Sequence, residues 1–141
     1  MANENNNVAS FNIINTPSIV AGTNTPQTAA VTFAANGITS SSINLNGYVL
    51  VGLISAVTWT AADLTMQASV DNTNFFDVYD KYGAEMVLKT GGTAFTTSSK
   101  FIPLAPADYI PYTFLRFRSG SAATPVTQAA GRTITAIIRT V

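Results

Sequence analysis

The feature that most narrows the choice of fold is a period of two. Leu64, Met66, Ala68 and Val70 alternate with Thr65, Gln67 and Ser69, which sends one set of side chains to each face of an extended strand. The alternation returns over residues 112–119, where Leu115 and Phe117 are expected inward and Arg116 and Arg118 outward. It returns again over residues 132–141, with Ile134, Ala136 and Ile138 toward the core. No segment keeps apolar residues at spacings of three and four for a dozen positions, so no helix longer than a turn or two is expected.

Turn signals cut the remainder into short pieces. Residues 30–34 are closed by Asn36-Gly37, and residues 41–45 by Asn46-Gly47; both dipeptides favour tight turns. Residues 48–59 are the most apolar run, read as a buried strand or a pair of strands, expected to bend at Gly52 and to end on a core Trp59. Phe76 and Val78 share one face, opposite Phe75, Asp77 and Tyr79. Residues 85–89 form a short strand that Gly91-Gly92 turns toward residues 94–97. Phe101, Ile102 and Leu104 lead into the corner APADYIP. The chain is therefore read as all-β: an antiparallel β-sandwich of about eight strands with the long connections of Greek-key sandwiches. With 141 residues there is room for one core, and residues 28–141 are assigned to a single sandwich domain. Residues 1–27 are rich in Asn, Thr, Ser and Pro, with apolar islands at Phe11, Ile13 and Ile14 and at Ile19 and Val20. They suit an extended N-terminal arm ordered against a partner, or an edge strand followed by a loop.

Charge and residue usage exclude several functions. Seven basic and seven acidic side chains cancel, so no net field draws the chain to nucleic acid or an anionic membrane. The charged fraction is 10 %, against about 25 % for an ordinary domain, which fits a surface partly covered by a partner. With no Cys and no His, disulfides, thiolate metal sites and the usual neutral-pH general base are absent. The start, MANENNNVAS, lacks the basic and apolar regions of a signal peptide. Residues 48–59 are too short to span a bilayer. A soluble chain made in the cytoplasm is expected.

Four clusters carry possible chemistry. Asp71, Thr73 and Asp77 could offer oxygens to calcium, but Phe75 and Phe76 occupy the middle of the loop, no Gly is present, and Tyr82 stands at the twelfth position, so the stretch SVDNTNFFDVYD reads first as a hairpin corner. Trp59, Phe75, Tyr79, Tyr82 and Tyr112 could stack on sugars. Asp63, Asp71, Asp77, Asp80, Glu85 and Asp108 could supply a hydrolytic carboxylate pair, yet no spacing singles one out. Arg116, Arg118, Arg132 and Arg139 could line a phosphate-binding stripe, or pair with acids. Without a His triad, a GxSxG elbow or a phosphate loop, an enzyme is not expected, and no catalytic, cofactor-binding or metal residue is assigned.

Two phrases carry a resemblance. LTMQASVDNTNFFDVYDKYGAEM and KFIPLAPADYIPYTFLRFRSGSAATPVTQAAGRTITAIIR, within residues 64–139, are similar to the decoration or cement (auxiliary head) proteins of tailed bacteriophage capsids. The hairpin phrase alone also resembles discoidin-like, galactose-binding sandwiches. The first resemblance implies a jelly-roll-like β-sandwich that forms homo-dimers or trimers. It would be made in the host cytoplasm, sit on the outside of the virion's capsid and bridge neighbouring major capsid protein subunits, with no cofactor. Phe11, Ile13 and Ile14 are the candidate capsid contact, since a segment that orders on binding can cover a large surface. The alternative is a carbohydrate- or receptor-binding sandwich module on a virion fibre or surface.

Overall fold

A computed structural model of the protein describes residues 26–89 and 99–140. The expected arm with Phe11, Ile13 and Ile14, and the turn and strand expected at residues 91–97, lie outside the described residues. The strands are β1 Gln27–Phe33, β2 Thr39–Asn44, β3 Tyr48–Ile54, β4 Leu64–Ser69, β5 Phe76–Asp77, β6 Val87–Lys89, β7 Phe101–Pro103, β8 Phe114–Ser119 and β9 Arg132–Thr140. A 3-10 turn at Pro106–Tyr109 is the helix of the described residues.

The strands form one curled antiparallel sheet in the order β5-β4-β8-β2-β1-β9-β3-β7, and β6 also pairs with β4. Strands β5 and β6 follow one another along the same edge of β4, the first beside Gln67 and Ala68, the second beside Leu64 and Thr65. Strands β1 and β2 are joined by the Asn36-Gly37 turn, in which Asn36 takes φ 65°, and are held by the Phe33 to Ser40 pair. The sheet curls there, so the inner faces of β2, β4 and β8 meet those of β1, β3 and β9. Val31, Phe33, Leu50, Leu53, Leu64, Met66, Leu115, Phe117, Ile134 and Ala136 fill the space between with almost no exposure. Each of these side chains larger than Ala136 contributes about 1.5–3 kcal/mol relative to leaving it in water.

The expected inward sets on β8 and β9 are the observed ones. The bend at Gly52 is a β-bulge: Ile137 pairs with Gly52 and Ile138 with Leu50, leaving Val51 as the extra residue. A Cβ at Gly52 would stand 3.2 Å from the Ile102 carbonyl oxygen and from the Phe101 ring, a tight fit that the close approach of β7 makes easiest for a glycine.

Four expectations change. The long core strand stops at Ile54, and Trp59 reaches the core from a loop, meeting the Phe33 ring edge-on at 5.2 Å while its indole N–H donates to the Ala62 carbonyl. That loop is held by Gln128, fully buried, whose amide accepts from Thr60 N–H and donates to Thr60 O. Strand β4 is not half-buried: Thr65 and Ser69 on its polar face are enclosed, whereas Val70, beyond the strand's end, is 82 % exposed. Arg118, expected outward, is 5 % exposed. The strand expected to start at Glu85 starts at Val87, because Glu85 turns to Arg118.

Candidate functional site

The antiparallel register sets Arg116 beside Gln67 and Arg118 beside Thr65, and sets Gln67 beside Asp77. Side chains paired across strands share a face, so these five meet on the outer surface of β4, β5 and β8. There Arg118 donates Nε–H to Thr65 Oγ1 at 3.1 Å, one terminal N–H to Asp77 and another to Glu85. Glu85 also accepts the Ala122 N–H at 3.0 Å, and the Thr65 hydroxyl donates to the Gly120 carbonyl at 2.6 Å. Gln67 donates to Asp77 at 2.9 Å and accepts from Arg116 Nε–H at 2.8 Å. The Arg116 guanidinium lies 4.1 Å from the centre of the Phe75 ring. A continuous polar chain thus ties the excursion after β4 and the loop after β8 to the sheet.

The corner SVDNTN is built from its own side chains. Asp71 Oδ1 accepts the backbone N–H groups of Thr73 and Asn74 at 2.9 and 2.8 Å, Asp71 Oδ2 accepts from the Asn74 amide, and Ser69 Oγ accepts the Asn72 N–H. Asn72 takes φ 60°, a conformation that Asn tolerates. Backbone N–H donation from Asn74, then from Thr73, holds the Asp71 carboxyl far below the usual carboxylate range. The oxygens that could have formed a calcium loop are therefore divided: Asp71 serves the turn, and Asp77 serves Gln67 and Arg118. Among the described residues no group of three or more His, Cys, Asp or Glu could hold a metal ion.

The other clusters divide as well. Of the six acids, Asp77 and Glu85 are brought together, with the Arg118 guanidinium between them. The arginines do not form a stripe. Arg116 and Arg118 are engaged on the sheet, and Arg132 donates to Gln128, Thr58 and Thr60. Of the aromatics, Trp59 is buried and Phe75 lies under Arg116, while Tyr79 and Tyr82 are exposed. Tyr112 packs edge-on against Tyr109 at 6.4 Å, whose phenol is pushed up to about 12, chiefly by burial. Thr65, Gly120 and Gln128 were not singled out by sequence; a buried hydroxyl, a positive-φ glycine and a loop-stapling amide leave no period to detect.

Among the polar turn residues of this region, large apolar side chains are exposed. Val70, Phe76, Tyr79, Tyr82 and Val87 are each about half or more exposed, and all belong to the excursion from β4 through β6. Phe76 edges a cleft of about 220 Å³ whose wall includes Ala68, Val78, Pro111 and Tyr112.

Acid should loosen this region first. Hydrogen bonding from Gln67, then Arg118, lowers the Asp77 carboxyl, and Asp71 is lowered as above. A group whose folded-state value lies below its unfolded one stabilises the fold above the unfolded value, here 3.8. That stabilisation is lost as pH falls through the lower folded-state value. Urea midpoints should therefore be level between about pH 7 and pH 5 and fall below about pH 4. The Asp77→Asn protein should show a shallower fall, and an unchanged acid slope in that variant would contradict the assignment.

Comparison with protein-family models, with curated proteins and with solved structures finds no match to this chain.

Proposed function

We propose that the protein is a structural decoration, or cement, protein that binds the outside of a tailed-phage head and bridges major capsid protein subunits. The observation that carries this reading is the division of side chains along the excursion from β4 through β6 at the edge of the sheet. There Asp77, Glu85 and Arg118 are spent on one another, while Val70, Phe76, Tyr79, Tyr82 and Val87 are left exposed. Such a surface offers apolar contact area, including aromatic residues of the kind enriched in interfaces. Net charge zero supports a protein partner over nucleic acid or membrane.

The finer fold belongs to the same proposal. The runs β1-β9-β3-β7 and β2-β8-β4-β5 within the strand order are the two four-stranded sheets that an eight-stranded jelly roll would have, a double-sheet architecture found in viral capsid domains. A homo-dimer or trimer would cover the short edges at β5, β6 and β7 and would engage several shell subunits at once, which multiplies modest contacts. Phe11, Ile13 and Ile14 of the arm add anchors to that contact in this reading.

Cosedimentation with undecorated phage capsids tests it. Saturation at a fixed copy number, with shells that resist higher temperature, is expected. Tyr82→Ala should weaken binding about tenfold or more, as truncating an interface aromatic does. Absence of binding to every shell tried would end the proposal. The exposed Tyr79 and Tyr82 also suit a carbohydrate- or receptor-binding module, and glycan binding lost in Tyr82→Ala without shell association would favour that alternative.

A further inference from the structure

The sequence holds two Asn-Gly pairs, Asn36-Gly37 and Asn46-Gly47, and the fold treats them differently. At the first, Asn36 N–H donates to Gln128 O at 2.7 Å, Gly37 N–H donates to Ala34 O at 2.9 Å, and Gly37 O accepts Gln128 N–H at 3.0 Å. The N–H of the Asn36–Gly37 peptide is engaged, and the peptides on either side of it are tied to Gln128. At the second, the turn is closed by Tyr48 N–H donating to Leu45 O at 2.9 Å, and Asn46 N–H donates to Asn44 Oδ1. Gly47 N–H meets no acceptor among the described residues. Gly47 has φ 83°, and a Cβ built there would touch nothing within 4 Å, so no neighbouring atom crowds the turn at Gly47.

We propose that Asn46 is a site of spontaneous deamidation and that Asn36, with the same sequence neighbour, is protected by the fold. The Gly47 backbone nitrogen attacks Asn46 Cγ. The new C–N bond closes a five-membered succinimide as the Cγ–Nδ2 bond breaks, and the proton from the Gly47 nitrogen leaves with the amide group as ammonia. Water then opens the ring at one carbonyl or the other, giving Asp or iso-Asp, with no change of oxidation state. For Asn36 the same attack first requires the Gly37 N–H to leave Ala34 and the Gln128 contacts to open. One ordinary hydrogen bond is worth roughly a factor of ten in rate here. The product adds one negative charge to a chain of net charge zero. It does so on the rim of a cleft lined by Tyr48, Ile110 and Tyr112. The inference goes beyond the proposed function and stands or falls separately from it.

The test is to age the folded full chain at mildly alkaline pH and to follow the acidic species by charge-sensitive separation and fragment-ion peptide mapping. Asn46 should convert about tenfold or more faster than Asn36. Asn46→Gln should remove the main acidic species, and Asn36→Gln should leave it. In urea the two sites should convert at similar rates, because they share the same neighbour. Faster conversion at Asn36, an acidic species that persists in Asn46→Gln, or the same ratio in urea as in the fold would each overturn the proposal.

Discussion

Arg118→Ala should destabilise the protein by about 3 kcal/mol, near the lower end of what removing one partner of a buried ion pair costs. The side chain is 6 % exposed, with Asp77 at 35 % and Glu85 at 15 %. Water can rescreen Asp77 once the guanidinium is gone, but Glu85 would keep the Ala122 N–H as its compensation, and the Thr65 hydroxyl would lose a neighbour. For a domain of this size the melting temperature should fall by roughly 10 °C. Hydrogen exchange should rise first around Asp77–Glu85, since the guanidinium holds that excursion to the sheet. The loss should be mostly recovered in a triple variant, Arg118→Met with Asp77→Asn and Glu85→Gln, because neutral groups of similar shape leave no buried charge unpaired. If Arg118→Ala melted within a degree or two of the parent, the ion triad would not be what holds the excursion in place.

The second large effect is expected at Gly120. Its φ is +88°, and a Cβ there would stand 2.7 Å from Val126 N and 2.8 Å from Pro125 Cα. Those are backbone atoms that cannot swing aside. Gly120 also donates its N–H to Asp63 O and accepts the Thr65 hydroxyl, so the loop cannot shift without loosening the polar chain. A left-handed conformation costs an L-residue about 1–2 kcal/mol, and overpacking adds about 1–3 kcal/mol. Gly120→Ala should thus lose about 3 kcal/mol or more, read as a lower urea midpoint with an unchanged m-value. Gly83→Ala serves as the comparison: its φ is +87° but nothing lies within 4 Å of the added carbon, so only the conformational part should appear. Equal losses at the two glycines would mean that crowding at Gly120 is relieved by movement.

These two residues mark where sequence reasoning reached its limit. Leu115 and Phe117 were legible as core because period two, applied to apolar side chains, has one physical solution: one face buried against other strands. The same period sent Arg118 to solvent, since alternation says which face a side chain takes and not whether another segment covers that face. Glu85 and Asp77 come from an excursion whose path no local pattern predicts, and only their arrival makes a buried guanidinium tolerable. Trp59 lies in the core, as its place in the apolar run suggests, but on a loop and not a strand, because the staple that turns its loop inward is Gln128, 68 residues away in the contact with Thr60.

The corner that looked like a ligand site was decided at short range: Ser69, Asp71, Asn72 and Asn74 satisfy one another within a few residues, so sequence alone was enough to favour a turn. By itself the sequence determined the all-β class, the tight turns at Asn36-Gly37 and Asn46-Gly47, and the inward sets on β8 and β9. Those follow from side-chain period and backbone sterics, which act between neighbours along the chain. Only the tertiary structure decided that Arg118 is buried, that Asp77 and Glu85 serve it, that Gly120 is crowded and that one Asn-Gly pair is locked while the other is open. Each of those depends on contacts between residues far apart in sequence, whose energies exist only once the sheet has curled around its core.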